Sequence, residues 1–123
     1  MEIKGAMVGT GAFAQCFIPL FAAHPGVGEL VLCDLDADKL SENVQKHQIH
    51  TTCASLDEVC GRDDIDAAVI ITQNWLHAPQ AIQALKAGKH VYSAVPTGIN
   101  LKEIESLVDT VRETGQIYMI GET

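Results

Sequence analysis

Near the amino terminus, Gly9-Thr10-Gly11-Ala12-Phe13-Ala14 has the residue types and spacing to hold a phosphate. Gly9 permits a tight turn, Gly11 has no side chain to keep a pyrophosphate off the backbone, and Ala14 allows close packing behind the turn. Binding there would come from backbone N–H groups, aided by the partial positive charge of a helix start. Thr10 and Phe13 complete the loop and join the residues expected at the ligand. Asp34 follows Ala14 by twenty positions, at the end of the next β-like run. A carboxylate at that offset accepts hydrogen bonds from an adenosine ribose and repels a 2′-phosphate, so NAD is expected over NADP. Asp36 adds negative charge, and Lys39 is the nearest cation. A ligand-free glycine turn and a solvated strand-end acid are the plainer readings. Each signal strengthens the other, because a chance glycine pattern does not foretell an acid at this distance.

A second group of polar residues stands in Ile71-Thr72-Gln73-Asn74-Trp75-Leu76-His77. Thr72, Asn74 and His77 follow an apolar run, and ligands of open α/β sheets lie beyond the carboxyl ends of the strands. Thr72 and Asn74 can hydrogen-bond ribose or phosphate oxygens, or they can cap helices. His77 can serve chemistry or structure.

The elements that must position these groups alternate along the chain. Strands are expected at residues 3–8, 29–33, 50–52, 67–72, 90–93 and 117–120, several nearly continuous in apolar residues, as parallel strands covered on both faces are. Helices are expected from the glycine loop to about Ala23, over 38–47, over 76–87 with Pro79 in its first turn, and from Leu101 onward. In the last, Leu101, Ile104, Leu107, Val108 and Val111 share one face, Asn100 and Glu103 form a capping-box start, and Gly115 ends the run. Strict alternation reads as an α/β doubly wound parallel sheet, a Rossmann fold of six strands in the order 3-2-1-4-5-6.

The chain's 123 residues correspond to one domain, and 47% hydrophobic with 20% charged residues suits a packed core. A net charge of −8 disfavours nucleic acid and anionic membrane surfaces as partners. Cys16, Cys33, Cys53 and Cys60 lack Cys-x-x-Cys spacing and read as free, mostly buried thiols, with no metal site expected. Residues 1–5 carry no signal-peptide pattern, and the apolar stretch 12–23 is too short to span a bilayer. A soluble, cytoplasmic protein is the expectation.

The run Val69-Ile70-Ile71-Thr72, with Asn74, His77 and Ala81-Ile82-Gln83-Ala84-Leu85-Lys86-Ala87-Gly88-Lys89-His90-Val91, resembles the glucose–fructose oxidoreductase / inositol dehydrogenase (Gfo/Idh/MocA) family. The resemblance extends from Gly9 to Thr123. It implies an NAD(P)-binding Rossmann domain over residues 1–123, with Ala94 among the cofactor-binding positions. It also implies an oxidoreductase of sugars, polyols or related compounds. The substrate domain and the usual dimer surface would lie outside this chain, leaving the isolated domain inactive. Where the family has Glu-Lys-Pro, this chain has Ala94-Val95-Pro96, so the lysine that assists proton transfer is replaced by Val95 and the catalytic residues are unknown. Two alternatives stand beside a dehydrogenase. One is a non-redox or regulatory NAD-binding protein. The other is an enzyme that uses NAD transiently to cleave glycosidic bonds.

Overall fold

A computed structural model describes residues 2–122. Six parallel strands form one sheet in the order β3-β2-β1-β4-β5-β6, as expected. They are β1 (Ile3–Val8), β2 (Val27–Cys33), β3 (Thr52–Cys53), β4 (Ala67–Ile70), β5 (His90–Ala94) and β6 (Tyr118–Gly121). Between them run α1 (Ile18–Ala23), α2 (Ala37–His47), α3 (Leu56–Gly61), α4 (His77–Lys86) and α5 (Leu101–Thr114).

Side chains alternate across the sheet and divide the interior into two cores. Ala6, Val8, Val31, Cys33, Ala68 and Ile70 pack on one face with Leu85 of α4 and Leu107 of α5. Met7, Leu32 and Val69 pack on the other with Ala14 and Ile18, against which Leu40 and Val44 of α2 are half-buried. Both faces of the central strands are therefore dry, which explains their unbroken apolar sequence.

The expected helix from the glycine loop to Ala23 is broken. A 3-10 turn, Phe13–Cys16, is followed through Phe17 by the six-residue α1. Pro19 supplies the reason, because it has no N–H for the Gln15 carbonyl four residues back and its ring crowds that oxygen. Several strand ends also differ from the sequence reading: β2 starts at Val27 rather than at position 29, and β5 and β6 each end one residue later, at Ala94 and Gly121. β3 is two residues long and begins at Thr52 rather than at position 50, β4 stops at Ile70 before Thr72, and β6 starts at Tyr118. Each shift occurs where the edge pairing or the turn into the next segment, rather than hydrophobicity, decides the boundary.

Caps hold the other helices. Asp36 accepts from the amides of Asp38 and Lys39 at the start of α2. Asn100 accepts from the Glu103 amide at 2.9 Å, and Gly115 ends α5 with φ of 69°, a left-handed value that glycine adopts without strain. Ser55 caps α3, accepting from the Glu58 amide at 3.2 Å while the Glu58 carboxylate accepts from Ala54.

The register sets the site. Val8 at the end of β1 pairs with Cys33 of β2 and with Ile70 of β4. Three strand ends thus lie level where the sheet order reverses between β1 and β4, and a crevice opens beyond them.

Candidate cofactor-binding crevice

The crevice encloses about 820 Å³. Its walls come from the glycine loop, residues 34–36 after β2, 55–57 at the start of α3, 71–74 after β4, and 94–95 at the end of β5. That volume suits a sizeable organic ligand, since such sites occupy roughly 300–1,000 Å³.

The glycine loop is anchored at both strand ends. Gly9 donates its amide to the Cys33 carbonyl at 2.9 Å, and Ile71 donates to the Val8 carbonyl at 2.9 Å. Gly9 has φ of 97°, and a Cβ there would stand 2.2 Å from the Ile71 carbonyl oxygen. The position therefore accepts only glycine. Gly11 differs in kind. A Cβ on Gly11 meets nothing within 4 Å and would project into open space. Gly9→Ala is expected to lower unfolding free energy by about 2–4 kcal/mol through backbone strain and the carbonyl clash. Urea denaturation checks this, and an unchanged midpoint would refute the close approach.

Asp34 sits immediately after β2 and faces the loop. Its Oδ2 accepts from the Thr10 amide at 2.9 Å and the Thr10 hydroxyl at 2.6 Å, while Oδ1 accepts from the Asp36 amide at 2.9 Å. Burial alone would raise its pKa. The bonds from the Thr10 hydroxyl and from the Asp36 and Thr10 amides, with the charge of Lys39, outweigh burial and hold the carboxyl below its ordinary value. Thr10 itself is buried, its side chain spent on Asp34 rather than turned into the crevice.

Behind the loop lies a polar network absent from the sequence reading. Gln15 Nε2 donates to the Asn43 Oδ1 at 2.7 Å and to the Thr10 carbonyl at 3.0 Å, with a longer contact of 3.4 Å to the Gly11 carbonyl. Gln15 Oε1 accepts from Lys46 Nζ at 3.1 Å and lies 2.8 Å from His47 Nε2. An amide oxygen only accepts, so His47 carries its proton on Nε2. Burial, then the neighbouring Lys46 charge, push the His47 pKa down and favour the neutral ring. Asn43, buried on α2, donates to the carbonyls of Lys39 at 2.8 Å and Thr10 at 3.3 Å.

The residues after β4 reach the crevice in different ways. Thr72 donates its hydroxyl to Gln80 Oε1 at 2.6 Å and caps no helix. Asn74 lies inside a short 3-10 turn, Asn74–Leu76, whose N-cap is Gln73, so neither expected cap forms. Asn74 is exposed at the rim. His77 exposes 1% of its surface, with Nε2 2.9 Å from the Thr72 carbonyl and Nδ1 2.8 Å from the Pro96 carbonyl. Its ring is a tie between the chain after β4 and the chain after β5. Ala94 is buried at the end of β5, and Val95, 39% exposed, lines the crevice beside it.

Sequence reasoning also missed the residues at the start of α3, although Ser55-Leu56-Asp57-Glu58 shows a capping-box spacing. The four cysteines are unbridged, and three of them are buried or half-buried, with burial raising the Cys33 thiol to about 12. Cys16 is exposed, at the end of the 3-10 turn that precedes α1. Among the described residues, no cluster of His, Cys, Asp or Glu could hold a metal ion, and no helix is long and apolar enough to cross a membrane.

A family model described as an oxidoreductase family with an NAD-binding Rossmann fold matches residues 3–122. The chain is 30% identical to a 4-carboxy-2-hydroxymuconate-6-semialdehyde dehydrogenase of Sphingobium sp. over 118 residues, 96% of this chain and 38% of that protein. It is 33% identical to a glycosyl hydrolase family 109 protein of Phocaeicola vulgatus over 121 residues, 91% of this chain and 22% of that protein. A crystal structure of a 3-ketoreductase from Actinomadura kijaniata, in complex with NADP and TDP-benzene, superposes with a TM-score of 0.89 at 24% identity. That match covers 98% of this chain and 37% of the other. The chain thus spans well under half the length of these relatives. With the sheet order, the glycine loop and a family match over residues 3–122, this chain belongs to the Gfo/Idh/MocA oxidoreductase family, as its NAD(P)-binding Rossmann domain.

Proposed function

We propose that the crevice binds NAD, and that the chain is the cofactor-binding part of an NAD-dependent oxidoreductase acting on a sugar, polyol or related compound. The observation that carries this reading is the contrast between two glycines. Gly9 is required by the fold, whereas a side chain on Gly11 would enter open space. A phosphate lying against the backbone gives Gly11 a reason to be glycine.

The remaining residues fit one orientation of the dinucleotide. The pyrophosphate lies over Gly9, Gly11 and Ala12, with Ala14 buried behind them and Phe13 half exposed at the crevice wall. Asp34 offers the remaining lone pair of Oδ1 to the adenosine ribose, and its charge opposes a 2′-phosphate, which favours NAD over NADP. Thr72 and Asn74 stand where the chain leaves β4, and Ala94 leaves room at the end of β5 for the nicotinamide half. His77 contributes through the tie it makes beneath them, and Thr10 through its hold on Asp34. NAD supplies hydride transfer when bound, while the chain binds and orients it.

Val95 gives and takes no proton, yet it occupies the position matching the family lysine. An acid–base group for a carbinol substrate would then come from the part of the protein that corresponds to the unmatched length of the relatives. The same residue, with the similarity to a family 109 glycosyl hydrolase, supports a second reading in which NAD is held without net redox turnover.

Calorimetric titration with NAD and NADP tests the primary reading. Saturable one-site binding of NAD, tighter than NADP, is expected. No saturable heat with NAD at millimolar concentration would sink it. Growth of NADH absorbance on adding sugars or polyols to a protein that also contains the family's second domain separates the two readings, since only a dehydrogenase accumulates the reduced cofactor.

A further inference from the structure

In a trans peptide the C=O and N–H point in opposite directions, so holding one aims the other. Gln15 Nε2 and Asn43 Nδ2 hold the Thr10 carbonyl from behind the loop, at 3.0 and 3.3 Å. Gln15 also draws the Gly11 carbonyl, at 3.4 Å. The partner groups in those two peptides are the amides of Gly11 and Ala12. Both are thereby turned toward the crevice, and among the described residues neither donates to a protein acceptor.

The orientation of the Gln15 amide is determined by its surroundings. Its nitrogen faces three oxygen acceptors, and its oxygen faces the Lys46 ammonium and the His47 ring nitrogen. A flipped amide would set oxygen against oxygen and nitrogen against donors. Asn43 is fixed in the same way, giving its Nδ2 to Thr10 and Lys39 and its Oδ1 to Gln15. With 5% of its surface exposed, it cannot satisfy these bonds from water.

We propose that Gln15 and Asn43 are positioning residues for pyrophosphate recognition: they hold two carbonyls of the glycine loop so that the Gly11 and Ala12 amides face the phosphates. This rests on the dinucleotide reading of the crevice. It assigns a ligand-directed role to two side chains that line no part of the crevice themselves. It also makes α2 a support of the phosphate loop, since Asn43, Lys46 and His47 all belong to that helix.

Gln15→Glu isolates the role. A carboxylate still accepts from Lys46 and His47 but has no N–H for the Thr10 and Gly11 carbonyls or for Asn43. Binding of ADP and of adenosine would be measured for wild type, Gln15→Glu and Gln15→Leu, together with each unfolding midpoint. ADP affinity is expected to fall about tenfold or more in both variants, while adenosine, which has no phosphate, keeps its affinity within about twofold. An ADP affinity equal to wild type in Gln15→Glu would overturn the positioning role. So would an equal loss for ADP and adenosine, which marks a general support of the fold. A wild type that binds neither ADP nor NAD would overturn the reading of the crevice itself, a result distinct from the first two.

Discussion

Gly11→Val is expected to leave the chain folded and to remove NAD binding. The backbone at Gly11 lies outside the left-handed region, and an added Cβ meets nothing within 4 Å, so the protein has room for the side chain. The ligand does not. Two methyl groups above the Gly11 amide occupy the space through which a phosphate would approach, and they separate it from two donors at once. A loss of about 100-fold or more, ~2.7 kcal/mol, is expected by calorimetry. The circular dichroism spectrum and urea midpoint should stay near those of the parent. The same substitution at Gly9 reverses the pattern, because the side chain there strikes the Ile71 carbonyl and the fold itself suffers. Gly11→Val binding NAD as tightly as the parent would show that no phosphate lies on this loop.

Asp34→Ala is expected to weaken NAD by about 1–3 kcal/mol, the range for losing a charge-assisted hydrogen bond, and to weaken NADP less or improve it. Both outcomes follow from the position of one carboxylate, which faces the loop through Thr10 and lines the crevice with one lone pair of Oδ1 still free. Titration of both cofactors checks it, and equal losses would assign Asp34 to the fold alone. The pH dependence has a definite sign. Because the native pKa lies below the ordinary value, the bonds to Thr10 contribute fully above the usual carboxylate range. That contribution is lost as pH falls through the lowered native value. The stability gap between wild type and Asp34→Ala should therefore be present at neutral pH and close under acid.

Much of this architecture can be read from the chain because it depends on local pattern. Apolar runs of strand length, the Gly9–Ala14 spacing and the Asn100 cap each act within a few residues of themselves, and Asp34 stands at a fixed offset from the loop it bonds 24 residues away. The broken first helix was also open to reading, since Pro19 denies Gln15 a partner wherever it occurs, but the apolar pattern around it suggested continuity. β3 and α3 were harder. Two residues of strand and six of helix are too short to show a period, and the Ser55-to-Glu58 spacing was the signal left. The Gln15–Asn43 contact lies beyond local pattern altogether. It joins residues 28 positions apart, and it exists because the β1–β2 register brings α2 beneath the loop. His77 is similar, for its two carbonyl partners follow different strands.

The anchored glycine loop has a consequence for when order is acquired. The amide, hydroxyl and carbonyl of Thr10 are all engaged by the protein, and the amide of Gly9 with them. The Gly11 carbonyl is held as well, by Gln15. Fixing a residue's backbone costs about 1–2 kcal/mol of conformational entropy, so ordering Gly9, Thr10 and Gly11 costs about 3–6 kcal/mol. A loop left slack would bear that cost at each encounter with ligand, enough to weaken Kd by roughly two to four powers of ten. Here it is met once, as α2 closes against the strand ends. Folding, rather than the arrival of the nucleotide, takes the freedom from this turn.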